Sequence, residues 1–137
     1  MKHIGFKKEK GQSAVELALV LPILLIIVCG IMDFGWLFYN QLYLNNACRE
    51  GARYAAVRTV VDDSQTIIES KIEGSLPGSL LDELDIDIIY SNPNKPLEGD
   101  VTIVLNSEMK ILTPVMGVFY SDQKRPLTAT VTMKVET

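Results

Sequence analysis

The chain has 137 residues, of which 47% are hydrophobic and 22% charged, a composition typical of a folded protein rather than a disordered one. One small domain is the most that this length allows. The first 11 residues hold four lysines and one glutamate, a charge of +3. Because the net charge of the whole chain is −4, the other residues carry −7. An acidic body offers no basic face to phosphates, and we expect no nucleic-acid partner.

The inventory of reactive side chains argues against an enzyme. His3 is the single histidine and lies at the extreme N-terminus, so His-dependent catalysis or metal binding would have to be built there. Cys29 and Cys48 are the two cysteines, and on one helix they would lie roughly 28 Å apart, too far for a disulfide. Because no nucleophile motif or metal-ligand spacing is present either, we expect no catalytic residue, no metal and no cofactor.

One apolar run is long enough to span a membrane. Residues Leu17–Met32 carry no charge, and the run continues to Tyr39 with Asp33 as its one acid. Its length of about 23 residues suffices for a hydrocarbon core of roughly 30 Å and exceeds the apolar core of a secretory signal. Lysines precede the run and aromatic residues follow it, which predicts a single pass with the N-terminus in the cytoplasm and the body outside.

Three residues are unusual in a simple anchor. Glu16 stands at the start of the run and Asp33 about 25 Å further along a helix, so we expect both to reach toward opposite interfaces. For Asp33 the alternative is a buried pairing. Pro22 removes one helix hydrogen bond and should kink or loosen the helix, either as a tolerated proline or with a specific packing role.

The helix is predicted to continue as a stalk over residues 12–59, because no proline interrupts residues 40–58. A helix of that length is roughly 72 Å long, so around 40 Å would project from the membrane. Ala47, Gly51 and Ala55 recur every four residues and form a face that another backbone can approach closely. That face receives the chain's own sheet or packs on another subunit, and both can hold at different heights along the helix.

Residues 60–137 predict a small head outside the membrane. Ser64 begins a second helix, with Ile67, Ile68, Ile72 and Leu76 on one side, and Pro77-Gly78 ends it; a short helical turn follows around Leu80–Leu84. Alternating apolar and polar residues predict three strands, at Asp85–Tyr90, Val101–Leu105 and Leu127–Val135. An antiparallel sheet of these strands packed on the stalk gives an α+β fold.

The connection between the second and third strands is unusually apolar. Residues 109–120 read MKILTPVMGVFY, and Pro114 with Gly117 argues against a regular strand or a long helix. This segment either folds back as a lid on the core or forms an exposed apolar patch for a neighbouring component.

The residues before the apolar run carry a four-part pattern. A lysine-rich leader is followed by Gly11, by Glu16 as the fifth residue after that glycine, and by the apolar run itself. The pattern resembles the class III signal of type IV prepilins, which implies that a prepilin peptidase removes residues 1–11 and leaves Gln12 as the new N-terminus. The resemblance further implies that Glu16 pairs with the free N-terminal amine of a subunit in the fibre, and a carboxylate in an apolar bundle does need a cationic partner.

Two positions depart from the commonest form of that signal. Conventional prepilins usually begin the mature chain with Phe, and the major Flp pilins follow the glutamate with Tyr, whereas this chain has Gln12 and Leu17. These departures favour a minor pilin or a pseudopilin over a major pilin.

The stretch GWLFYNQLYLNNACREGARYAAV at residues 35–57 and the closing TATVTMKVE resemble the TadE-like family of the tight-adherence (Flp, type IVc) pilus system. This resemblance implies a pilin-like minor pseudopilin that packs through its N-terminal helix, with Pro22 and the small-residue face as candidate packing residues. The implied partners are a prepilin peptidase, other pilin-like subunits, and an inner-membrane pilus platform with its ATPase. The implied location is the inner membrane, with the head outside, or an extracellular pilus.

Other interpretations remain open. An uncleaved, signal-anchored binding or sensor protein would have the same span and orientation but would leave the Gly11 and Glu16 spacing as a coincidence. A pseudopilin of a type II secretion system, or an ordinary type IV minor pilin, would carry the same processing signal. An enzymatic head is the weakest alternative, because residues 60–137 contain no histidine.

Overall fold

A computed structural model describes residues 6–57, 64–92, 94, 98–117 and 123–135. The helices are α1 (Phe6–Val57), α2 (Ser64–Gly74) and α3 (Pro114–Gly117), with one 3-10 turn at Gly78–Leu80, and the strands are β1 (Asp85–Tyr90), β2 (Asp100–Lys110) and β3 (Lys124–Lys134). The strands form one antiparallel sheet in the order β1-β2-β3. The predicted α+β fold, a long apolar helix with a three-stranded antiparallel sheet packed on it, is confirmed.

Helix α1 dominates the molecule. It has 52 residues, about 78 Å at the helical rise, and Pro22 lies inside it. It begins at Phe6, earlier than the predicted start at residue 12, so the helix includes half of the predicted leader. The predicted end at Thr59 lies outside the described residues, which reach Val57 at this end.

The core lies between the upper half of α1 and the sheet. Small side chains on α1, including Ala47, Cys48 and Ala52, are almost fully buried and leave room for the larger side chains of β2. Val101, Ile103 and Leu105 of β2, which point to one face by strand alternation, are completely buried there. Close packing of small helix residues against branched strand residues thus fixes the sheet on the stalk.

Helix α2 covers the other side of the core. Ile68, Ile72 and Leu76 are buried, but Ile67 is 42% exposed, so its predicted place on the apolar side was wrong. Successive helix residues are about 100° apart, and Ile67 therefore turns away when Ile68 faces inward. The helix ends at Gly74, before Pro77-Gly78, and the predicted turn at 80–84 is instead the 3-10 turn at Gly78–Leu80.

Strand β2 is five residues longer at its C-terminal end than predicted, because its inward positions continue through Ser107 and Met109. The polar Ser107 interrupts the apolar pattern in the sequence. Its hydroxyl donates a hydrogen bond to the Leu80 carbonyl at 2.8 Å, which makes the serine compatible with a buried strand position.

Strand β3 begins at Lys124 rather than at Leu127, and it includes Pro126 opposite Glu108. A proline has no amide hydrogen for the ladder, but β3 is an edge strand and can accommodate one. The strand ends at Lys134, one residue before the predicted end.

Candidate functional site: α1 and the base of the head

In the described part of the chain, no other element covers the apolar lower half of α1. From Val15 to Met32 its large apolar side chains are exposed, most of them by half or more. Among the described residues, this is the one helix long and apolar enough to cross a membrane, and its apolar window is not buried at all. The length and composition of α1 suggest a single membrane anchor.

The predicted processing residues lie on this exposed surface. Gly11, Gln12 and Glu16 are all exposed, and a Cβ on Gly11 would meet nothing within 4 Å. The Gln12 side-chain amide donates a hydrogen bond to the Glu16 carboxylate, with Nε2 and Oε1 3.3 Å apart. Residues four apart lie on one face of a helix, so position 12 and the carboxylate of Glu16 are neighbours.

The four predicted packing residues fall into two environments. Pro22 is exposed among the apolar side chains of the lower half. Ala47, Gly51 and Ala55 are buried within the head, so the small-residue face receives the chain's own sheet and α2. A Cβ on Gly51 would lie 2.7 Å from the Ile72 side chain, which shows how closely α2 approaches.

The two cysteines are free and differ in environment. Cys29 is half-buried in the apolar half of α1, whereas Cys48 is fully buried beneath the sheet. The Cys48 thiol donates to the Ile103 carbonyl at 3.3 Å, and its burial raises its pKa. Within the described residues, no group of three or more His, Cys, Asp or Glu side chains could hold a metal ion.

The Asp33 side chain is buried and hydrogen-bonded, which agrees with the alternative of a buried pairing and not with the expected orientation toward an interface. It is 6% exposed, and its Oδ1 accepts hydrogen bonds from the backbone amides of Leu112 and Thr113, at 3.2 and 3.0 Å. Its Oδ2 accepts a hydrogen bond from the Thr113 hydroxyl. Asp33 is buried because the segment after β2 lies against α1 at this residue. That segment provides three hydrogen-bond donors to the Asp33 carboxylate.

The described part of the apolar segment 109–120 shows features of both predicted alternatives, a lid on the core and an exposed apolar patch. Met109 is buried in the core, and Ile111 and Met116 are half-buried, as in a lid. Leu112 is 58% exposed, as in a surface patch. Residues 118–120 lie outside the described part of the chain.

A groove opens between this segment and α1 at the lower end of the head. Its volume is about 580 Å³, and besides Asp33 it is lined by Phe34, Leu37, Met109, Ile111, Met116 and Arg125. We call the exposed and half-buried side chains of this region, Phe34, Leu37, Ile111, Leu112, Met116 and Arg125, the base surface. Apart from the Arg125 guanidinium, these side chains are apolar.

The comparison with known families matches one part of the molecule. Residues 11–53 match the family described as TadE-like protein, and the match begins at the predicted cleavage glycine and ends four residues before the end of α1. Over residues 11–53 the chain is similar to the TadE-like family. Searches of curated proteins and of solved structures found no match.

The TadE-like segment contains one structural residue that sequence reasoning missed. Asn40 is fully buried, donates a hydrogen bond to the Trp36 carbonyl at 2.8 Å, and accepts one from the Ser79 hydroxyl at 2.9 Å. It ties the stalk to the turn that follows α2. A signal for Asn40 was present in the sequence. Asp33, Asn40 and Leu44 are seven and four residues apart, a spacing that places them on one face of a helix and predicts a buried stripe that starts at Asp33.

Proposed function

We propose that this TadE-like chain is a minor pseudopilin. In this proposal a prepilin peptidase removes residues 1–11, and the exposed lower half of α1 packs with other pilin-like subunits during assembly of a Tad (Flp) pilus. The observation that carries the proposal is the division of α1. One face of its upper half is buried in the head of the same chain, whereas its lower half presents apolar side chains that only lipid or other helices can cover.

Glu16 supplies the charge that this packing needs. Cleavage after Gly11 would place a new α-amino group on Gln12, one helical turn from the Glu16 carboxylate. In an apolar helix bundle an unpaired carboxylate is strongly disfavoured, so each Glu16 must be matched by an amine, its own or that of a neighbouring subunit. The pairing would select the axial register of neighbouring helices.

The same proposal defines location and partners. The lysine-rich start predicts an N-terminus in the cytoplasm, with the head on the outer side of the inner membrane. The TadE-like match supports the Tad system over a type II secretion system. The partners are then the prepilin peptidase, other pilin-like subunits, and the inner-membrane platform with its ATPase, and the chain itself has a structural rather than an enzymatic role.

The test is the N-terminus of the membrane-extracted protein, determined by intact mass and N-terminal sequencing with and without the prepilin peptidase of its own organism. We expect a chain beginning at Gln12 when the peptidase is present and the full leader when it is absent. The Gly11→Leu variant should keep its leader in both conditions while still entering the membrane. An intact leader on the natural sequence, with the peptidase active on another prepilin, would favour the uncleaved anchor and overturn the proposal.

A further inference from the structure

The base surface lies at a defined height along α1. From Gln12 to Asp33 there are 21 residues, about 32 Å along the helix axis. This distance is close to the thickness of a bilayer's hydrocarbon core, roughly 30 Å. If α1 enters the membrane at Gln12, where the mature chain begins in the proposed function, Asp33 lies at the opposite edge of the hydrocarbon core.

Hydrogen bonds to Asp33 fix the segment of Leu112 and Thr113 at that position along α1. Its carboxylate accepts hydrogen bonds from both backbone amides of Leu112 and Thr113 and from the Thr113 hydroxyl. Separating this segment from α1 would remove these three hydrogen bonds from a carboxylate that lies between apolar side chains, which is unfavourable. The segment that carries Leu112 is therefore fixed beside the membrane surface rather than held above it.

The chemistry of the base surface suits a phospholipid. Leu112 and Phe34 are 58% and 55% exposed, and the groove beside them has an apolar wall formed by Leu37 and Met116. Arg125 lines the same groove, and its guanidinium matches the geometry of a phosphate. The surface also continues the exposed apolar side chains of the lower half of α1, which face lipid when the helix spans the membrane.

We propose that the base surface docks on the outer leaflet of the membrane that α1 spans, with a phospholipid acyl chain in the groove and its phosphate at Arg125. This inference rests on the proposed membrane insertion of α1. Docking gives the head one orientation relative to the membrane, because α1 and the segment of Leu112 then contact the same leaflet. It also covers apolar surface that would otherwise face water.

The test uses one tryptophan at a time as a probe of depth. In a Trp36→Phe background, tryptophan replaces Leu112, Ile26 in the apolar half of α1, or Ile89 on β1. Ile89 is the matched control, because its side chain is 54% exposed but lies far from the base surface. It pairs with Thr102, which is eight residues, or about 26 Å, from Lys110 along β2. The full chain is reconstituted in phosphatidylethanolamine and phosphatidylglycerol vesicles, with and without bromine on the acyl chains.

We expect the brominated lipid to quench Ile26→Trp strongly, Leu112→Trp at least half as strongly, and Ile89→Trp hardly at all. Adding Arg125→Gln to Leu112→Trp should weaken the quenching by brominated phosphatidylglycerol. Quenching of Ile26→Trp but not of Leu112→Trp would overturn the docking and leave the membrane anchor intact. Absence of quenching at both positions would overturn the anchor and the docking together.

The protein-to-lipid ratio separates lipid from protein as the occupant. Quenching of Leu112→Trp that is unchanged over a tenfold dilution of the protein in lipid supports the phospholipid. An emission shift at Leu112→Trp that grows with protein density, without quenching by bromine, would show that another copy of the chain covers the base surface and would overturn the proposal.

Discussion

A Cβ atom on Gly51 of α1 would lie 2.7 Å from Cγ1 and Cδ1 of Ile72 in α2 and 3.2 Å from Cδ1 of Ile103. Gly51→Ala should therefore destabilise the head, although alanine is favoured over glycine within a helix by about 1 kcal/mol. Overpacking a well-filled core costs about 1–3 kcal/mol, so we expect a net loss of up to about 2 kcal/mol. Thermal unfolding of the detergent-solubilised chain, followed by circular dichroism, measures it.

Gly74→Ala is the matched control for this substitution, because a Cβ there would meet nothing within 4 Å. Its stability should be unchanged or slightly higher. The loss caused by Gly51→Ala should also shrink in an Ile72→Ala background, where the clashing atoms are gone. A Gly51→Ala chain as stable as the natural one would show that α2 can move away without cost.

Ser107 gives a second stability prediction. Ser107→Ala removes the donor for the buried Leu80 carbonyl, and leaving a buried acceptor without a partner costs about 1–3 kcal/mol. Chemical denaturation should show a loss in that range. Ser70→Ala, which removes the same hydroxyl from an exposed position of α2, should have little effect, and equal losses for both variants would contradict the role of the buried hydrogen bond.

The fold was predictable from the sequence where one kind of residue pattern dominated. The apolar run predicted the lower half of α1, and the alternation of Leu127, Ala129 and Val131 predicted most of β3. The ends of β2 and β3 were predicted wrongly, because each strand contains a polar residue or a proline that the surrounding structure accommodates. Ser107 is accommodated through Leu80, and Pro126 through its place on an edge strand, and neither partner is visible in the local sequence.

The candidate site was predictable to a smaller extent. Gly11 and Glu16 could be singled out because their spacing is a local signal. The base surface could be predicted only in part. Segment 109–120 was a candidate apolar patch, but its place beside Asp33 was not predictable, because Asp33 and Thr113 are 80 residues apart and their hydrogen bonds follow only from the packing of the sheet on α1. An acidic residue at the end of an apolar helix is ordinarily explained by the membrane interface, and the sequence gives no sign of the donors that bury it here.

Burial should protect Cys48 from alkylation. Its thiol lies beneath the sheet and its pKa is raised, so little thiolate is present and reagents reach it only when the head opens. Two chains are compared, both with Cys29→Ala: one keeps Cys48 as its single cysteine, and the other carries Cys48→Ala and Ser70→Cys. We expect a maleimide to react with Cys48 roughly a hundredfold or more slowly than with the cysteine at position 70. Mass spectrometry over time measures both rates. Similar rates without denaturant would contradict the packing described.

The ion pairs of Lys124 predict a pH dependence. Lys124 pairs with Glu83 and, at 3.3 Å, with Glu108. Hydrogen bonding to Lys124 lowers the pKa of Glu83, and the same contact raises the pKa of Lys124. The contribution of Glu83 to stability is therefore present above the ordinary pKa of a glutamate and is lost as the pH falls through the lowered value.

Carbon-13 NMR of the side-chain carboxyl groups follows this titration directly. Lys124→Met should raise the pKa of Glu83 toward its ordinary value, whereas Lys134→Met, at the other end of β3, should leave it unchanged. Because all three side chains of the cluster are more than a third exposed, high salt should also reduce the shift. An unchanged pKa in Lys124→Met would contradict the pairing.

Glu16 provides the sharpest test of the assembly role. Glu16→Gln keeps the size of the side chain and should leave cleavage after Gly11 intact, because the glycine itself is unchanged. It removes the carboxylate that would pair with an N-terminal amine, and breaking such a pair in an apolar environment costs about 3–5 kcal/mol. We therefore expect incorporation into surface pilus fractions to fall to about a hundredth or less, since each 1.4 kcal/mol is a factor of ten. Glu16→Asp, which keeps the charge, should recover part of the loss, and Leu17→Met, an apolar exchange at the neighbouring exposed position, should behave as the natural chain. Normal incorporation of a cleaved Glu16→Gln chain would contradict the pairing, because the helices would then find their register without the charge.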